Sequence, residues 1–164
     1  MGSNPEPLPV AIVVDSREQL PYAFSGQRTV VRKLDAGDYS LEGYETAIAV
    51  ERKSHSDAWS CVPHRKRCEG DCQGRCRFEK ALARLSKVEH GFVVIECNLE
   101  KFAQQPPYVT GIAPSSAVHS YWSWQIKYGV NVVWAPSRAW AEAMILWWFR
   151  KFLEVQGGLV RPQQ

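Results

Sequence analysis

Glu51 and Lys53 close the run Ala47-Ile48-Ala49-Val50-Glu51-Arg52-Lys53. In an extended chain their spacing sends both side chains to one face and Arg52 to the other. The apolar residues ahead of them imply a buried strand, so its charged end calls for a metal ion or mutual pairing. Asp38 falls just before a short extended segment that precedes this strand, where a turn between neighbouring strands brings its carboxylate toward Glu51. Two convergent carboxylates suit magnesium, a hard ion that takes oxygen ligands, keeps several waters and completes its shell with a substrate phosphate. A lysine beside them can orient a nucleophile or stabilise charge in the transition state, so the three suit in-line hydrolysis of a phosphodiester. The Glu-x-Lys spacing alone is common on exposed strands; the buried run before it raises its weight.

These side chains need a sheet. Val10 to Val14 is a β-branched run ending at Asp15 and reads as a strand buried on both faces. Thr29 to Leu34 and Glu45 to Lys53 read as two more, with turn chemistry at Asp35-Ala36-Gly37-Asp38, and the three suggest a meander. Arg77 to Val88 has Phe78, Ala81, Leu82 and Leu85 at helical spacing, and Phe92 to Ile95 is the next strand. Ser115 to Tyr128 reads as a helix stopped by Gly129, Val130 to Ala135 as a strand, and the chain from Ser137 to about Val155 as a last helix. The pattern predicts one α/β domain, a central mixed β-sheet flanked by helices.

Composition agrees with a single packed domain. The chain has 164 residues, 45% hydrophobic and 23% charged, which disfavours disorder, collagen and coiled coil. A net charge of +3 is too mild to identify a polyanionic partner on its own. The apolar stretch Ala143 to Phe149 is far short of the roughly 20 residues of a membrane span. Residues 1–9 lack basic and apolar signal regions and read as a flexible N-terminal segment, with the domain over 10–156 and a tail over 157–164. Five cysteines, four of them between Cys61 and Cys76, look more like a metal site than a secreted disulfide framework, so a reducing cytoplasm is expected.

The blocks Asp15-Ser16-Arg17-Glu18, Gly37-Asp38-Tyr39 and Val50-Glu51-Arg52-Lys53, with Asp57 four residues on, occur in one order. Together they resemble the XPF-type nuclease signature, G-D-x(n)-E-R-K-x-x-x-D preceded by D-x-R-E, of the restriction-endonuclease-like superfamily. The similarity continues through Arg77-Phe78-Glu79-Lys80-Ala81-Leu82 and Phe92-Val93-Val94-Ile95-Glu96, over most of the chain. The resemblance implies a restriction-endonuclease-like fold and an endonuclease that cuts flapped, forked or branched DNA with magnesium or manganese, leaving 5′-phosphate and 3′-hydroxyl ends. Carried over by position, Asp38 and Glu51 would bind the metal, Lys53 would serve the nucleophile and Asp15 would add a carboxylate. Arg17, Glu18, Arg52 and Asp57 would support them. On this resemblance the sequence is expected to be closer to the stand-alone bacterial and phage forms than to larger relatives with a helix-hairpin-helix module and a helicase-like domain, so the resemblance does not fix the junction preference.

A further departure is a basic, Cys-rich insertion over residues 61–76. Cys61, Cys68, Cys72 and Cys76, with His64 as a substitute, are the expected ligands of a structural zinc ion. Free or redox-sensitive thiols are the other reading. Cys97 reads as a small buried hydrophobe. Arg65, Lys66, Arg67 and Arg75 are suited to DNA phosphates. The tryptophans at 122, 124, 140, 147 and 148 read as core by default, although the two C-terminal helices are apolar around much of their circumference and suggest a homodimer. A non-catalytic zinc-supported DNA-binding or scaffolding subunit and a sequence-specific restriction-type enzyme are the alternative functions.

Overall fold

Strands form where β-branched runs alternate between two helical layers. The computed structural model describes residues 6–62, 73–107, 109 and 111–157, without the side chains of 73–76. The strands are β1 (Ile12–Asp15), β2 (Thr29–Arg32), β3 (Tyr39–Leu41), β4 (Ile48–Lys53), β5 (His90–Ile95) and β6 (Asn131–Trp134). The helices are α1 (His55–Ser60), α2 (Gln73–Leu85), α3 (Leu99–Ala103), α4 (Pro114–Tyr128) and α5 (Arg138–Val155). All six strands join one mixed sheet in the order β2-β1-β3-β4-β5-β6, the expected α/β class.

The pleat divides the core. On one face Ala49, Val93 and Ile95 meet Phe78, Leu82 and Leu85 of α2, together with Trp59, Phe102, Tyr121 and Trp124 from α1, α3 and α4. On the other, Ile48, Val50, Phe92 and Val94 meet Ile145, Phe149 and Phe152 of α5, together with Tyr22 and Phe24 from the loop after β1. The same alternation continues into the charged end of β4, so Glu51 and Lys53 leave on the α1/α2 side and Arg52 on the α5 side.

Two expectations are corrected. The first three predicted strands are not a meander: β2 pairs parallel to β1 at the sheet edge, and the antiparallel run is β1-β3-β4. Parallel pairing needs a crossover of about a dozen residues, which residues 16–28 supply, and β3 is too short for propensity to reveal. The tryptophans are not all core: Trp124 is buried, whereas Trp122, Trp140 and Trp147 are about half exposed. α5 packs only one face against the sheet, so an apolar residue on its far side stays in water. Cys97 is fully buried, as expected. Among the described residues no helix is long and apolar enough to cross a membrane.

Candidate active site

The turn before β3 sets the site. Gly37 has φ of +72°, and a Cβ added there would lie 2.7 Å from the Val50 carbonyl oxygen, so only glycine brings this turn against β4. The next residue is then clamped between two strands, β1 and β4. Asp38 N–H donates to the Val50 carbonyl at 2.7 Å, and its own carbonyl accepts from Asp15 N–H at 2.8 Å. Its carboxylate Oδ2 accepts from Arg52 N–H at 2.7 Å. With Tyr39 opposite Val50 in the register, Asp38 lies beside the charged end of β4.

Asp38, Glu51 and Lys53 line one cleft of about 410 Å³, together with Asp15, Arg17, Asp57, Cys61 and Arg77, Lys80 and Arg84 of α2. Lys53 Nζ is 2.9 Å from Glu51 Oε1 and lies 5.2 Å from the centre of the Phe78 ring. Burial pulls the Lys53 ammonium down, but Glu51 and its neighbours outweigh it, and the pKa ends above the ordinary lysine value. Asp38 goes the other way for a carboxylate. Burial first, and the adjacent Glu51 charge second, push it up to about 8.

Charging Asp38 beside Glu51 is costly unless a further cation joins them. Among the described residues no hydrogen bond to Asp38 Oδ1 or Glu51 Oε2 is made, and both residues line the cleft. Among the same residues no three His, Cys, Asp or Glu side chains gather in metal-holding geometry. Two protein oxygens still match a hard divalent ion that retains waters and takes further ligands from a substrate phosphate. The donor set therefore fits magnesium or manganese.

Asp15, expected as a third ligand, lines the same cleft and has both carboxylate oxygens hydrogen-bonded. Its Oδ1 accepts from Arg17 N–H and Nε at 2.7 and 2.8 Å, and its Oδ2 from an Arg17 terminal nitrogen and Leu34 N–H at 2.8 and 2.7 Å. Burial raises its pKa, but these bonds, led by Arg17, bring it below the ordinary aspartate value. The guanidinium it holds is 58% exposed at the mouth of the cleft. Asp57 accepts a hydrogen bond from Ser54 Oγ at 2.7 Å and stands in the first turn of α1, also lining the cleft.

Behind the sheet, Arg52 sits 2.9 Å from Glu96 and 3.5 Å from Glu18. Glu96 also accepts from Tyr22 OH and from Arg138, each at 2.8 Å. Arg138 reaches on to the carbonyls of Leu20 and Pro21 at 2.7 and 2.9 Å, and its guanidinium stacks 4.5 Å over the Tyr22 ring. This buried hub ties β4, β5 and α5 to the loop that carries Arg17 and Glu18. Sequence reasoning gave Glu96 no role, although it ends an apolar strand just as Glu51 does. Arg138 and Tyr22 carried no local signal.

Of the cysteine set, Cys61 is buried at the end of α1, its thiol pushed up by burial, and it faces the cleft near Lys53. His64, Cys68, Cys72, Arg65, Lys66 and Arg67 lie outside the described residues, as do the side chains of Arg75 and Cys76. The zinc site and the basic insertion thus rest on the sequence alone.

The chain is similar to two solved structures from Aeropyrum pernix. XPF in complex with DNA matches at 20% identity with a TM-score of 0.66, covering 88% of this chain and 66% of that one. XPF without that description of DNA matches at 20% identity with a TM-score of 0.67, covering 94% of this chain and again 66% of the other. At that identity the likeness establishes the fold, and the chain spans just under two thirds of those proteins. No curated protein matches the sequence. The family model of the ERCC4 domain matches residues 14–145, a stretch that begins beside Asp15, takes in the whole cleft and the Glu96 hub and ends within α5, and the chain belongs to the ERCC4 domain family.

Proposed function

We propose that this protein is a metal-dependent DNA endonuclease that acts on branched or flapped DNA. The observation that carries the reading is that Asp38, Glu51 and Lys53 line one cleft, with the Lys53 ammonium 2.9 Å from Glu51. Magnesium or manganese bound there would lower the pKa of an attacking water and neutralise phosphate charge. The chain's own groups do the rest. Glu51 holds Lys53 in its cationic form, aimed into the cleft where a reacting phosphate must sit. Arg17, fixed by Asp15, offers a second cation to that phosphate at the cleft mouth. The Arg52–Glu96 pair keeps the end of β4 straight from behind.

Preference for a junction over plain duplex is supported by family membership and by the likeness to a DNA-bound relative. Duplex, flap, fork and four-way DNA incubated with magnesium, manganese or EDTA, beside Asp38→Ala and Lys53→Ala, tests it. Metal-dependent cutting of flap or fork that both substitutions abolish is expected. Cutting of plain duplex at a short motif would point to a restriction-type enzyme, and no cutting of any substrate would leave a binding subunit. The half-exposed tryptophans of α5 further support a homodimer.

A further inference from the structure

α2 faces the sheet with Phe78, Ala81, Leu82 and Leu85 and carries Arg77, Lys80 and Arg84 on an adjacent stripe. At 3.6 residues per turn those three cations fall within about 60° of one another. All three are exposed and all three line the catalytic cleft. Arg84 also lines a second cleft of about 560 Å³, which it shares with Lys33 and Lys87. The two clefts are thus neighbours joined at one arginine. In the second, Arg32 is neutralised by Glu45 and Glu42, while Asp35 is one carboxylate against Lys33, Arg84 and Lys87. Among the described residues Lys33, Lys80, Arg84 and Lys87 make no ion pair. The acidic member of the helix, Glu79, points elsewhere, toward Trp124, Tyr128 and Lys127.

Cations that stay exposed and unneutralised beside a site of opposite charge have a polyanion as their natural counterpart. Resting on the nuclease reading of the cleft, we infer that α2 begins a phosphate track, along which Lys80 and Arg84 of the helix, then Lys87 just past its end and Lys33 just past β2, hold the DNA backbone as it leaves the scissile position toward the β2 edge of the sheet. Seven residues of helix from Arg77 to Arg84 rise about 10 Å, which matches roughly three nucleotide steps of one strand. The track binds without reading bases, because it offers only phosphate-seeking charge. It therefore sets where a strand lies, and with Arg84 at the junction it fixes which side of the cut is gripped.

The test is a binding titration of a fluorescent flap oligonucleotide in EDTA over a range of salt. It compares the wild type, the triple variant Lys80→Gln/Arg84→Gln/Lys87→Gln, and a control triple with the same charge loss elsewhere, Arg28→Gln/Lys101→Gln/Lys127→Gln. With about 0.9 of slope per phosphate contact, the track variant should flatten the log K against log salt line by about two to three and weaken binding roughly tenfold or more. The control should match the wild type. Equal losses in both triples, or no loss in either, would overturn the track. Cleavage is read separately with magnesium: a wild type that binds through the track and cuts nothing refutes the nuclease reading and leaves the track standing.

Discussion

Asp38 shows how position converts an ordinary carboxylate into a site. Burial and Glu51 hold its pKa at about 8, far above the unfolded value of 3.8. Between those two values the folded chain keeps a proton that the unfolded chain has lost, so metal-free stability falls as pH rises through that window. A divalent ion held as proposed would reverse the balance, because it would bind the deprotonated pair and displace the proton. Its affinity should rise about tenfold per pH unit up to about pH 8 and level off above it. Thermal melts with and without magnesium should show a larger stabilisation at about pH 8.5 than at about pH 6, by several degrees at the roughly 2–4 °C per kcal/mol expected for this size. Equal shifts at the two pH values would mean that the ion does not use Asp38. Asp38→Asn should abolish the pH dependence while keeping the fold, since the amide can still accept the Arg52 N–H bond. For Lys53, removal of a cation placed at developing charge should cost about 10²–10³ in single-turnover rate. Lys53→Ala with wild-type rate would exclude it from the chemistry.

β4 is the element on which both sides of the site depend. One face presents Glu51 and Lys53 to the cleft; the other sends Arg52 to Glu96, where Tyr22 and Arg138 also bind. Removing the shared carboxylate would take from Arg52, 10% exposed, its closer partner and leave it only Glu18 at 3.5 Å. Glu96→Ala should therefore destabilise the fold by about 3 kcal/mol or more in urea unfolding, the range seen when one partner of a buried pair is removed. Arg138→Ala leaves the Arg52–Glu96 pair, removes one of the hydrogen bonds to Glu96 and frees the Leu20 and Pro21 carbonyls. It should loosen the loop that holds Arg17 and raise KM more than it lowers kcat; an unchanged KM would place the loop under other control. What the sequence revealed follows the same division. The alternation at the end of β4 and the Gly37-Asp38 turn are local signals, so Asp38, Glu51 and Lys53 were legible as one site. The partner of Asp15 depends on Arg17 folding back two residues, and the Glu96 hub joins positions 22, 52, 96 and 138, which no local pattern connects. The edge position of β2 depends on the crossover through residues 16–28, and propensity is blind to it.

At the scale of the whole molecule, one side of α5 remains without a partner. Trp140 and Trp147 pack edge to face and are both about half exposed. Beside them a groove of about 530 Å³ runs between α5 and β6, lined by Phe92, Val133, Met144, Trp147 and Trp148. Among the described residues β6 is also a sheet edge, bonded on one side only to β5. Large aromatic rings in contact with an open edge are costly to leave in water, and a second copy related by a two-fold axis would cover both at once. The clefts that hold Asp38 and the α2 cations lie over the opposite face of the sheet, so the dimer would leave both clefts open. A standard interface of about 1,600 Å² predicts a dimer at micromolar concentration. Sedimentation equilibrium should give twice the chain mass for the wild type. Trp140→Glu/Trp147→Glu should give the monomer with its melting temperature little changed, since neither ring is part of the core. A wild type that sediments as a monomer at tens of micromolar would show that this face is solvated, and the tryptophans would then need another occupant.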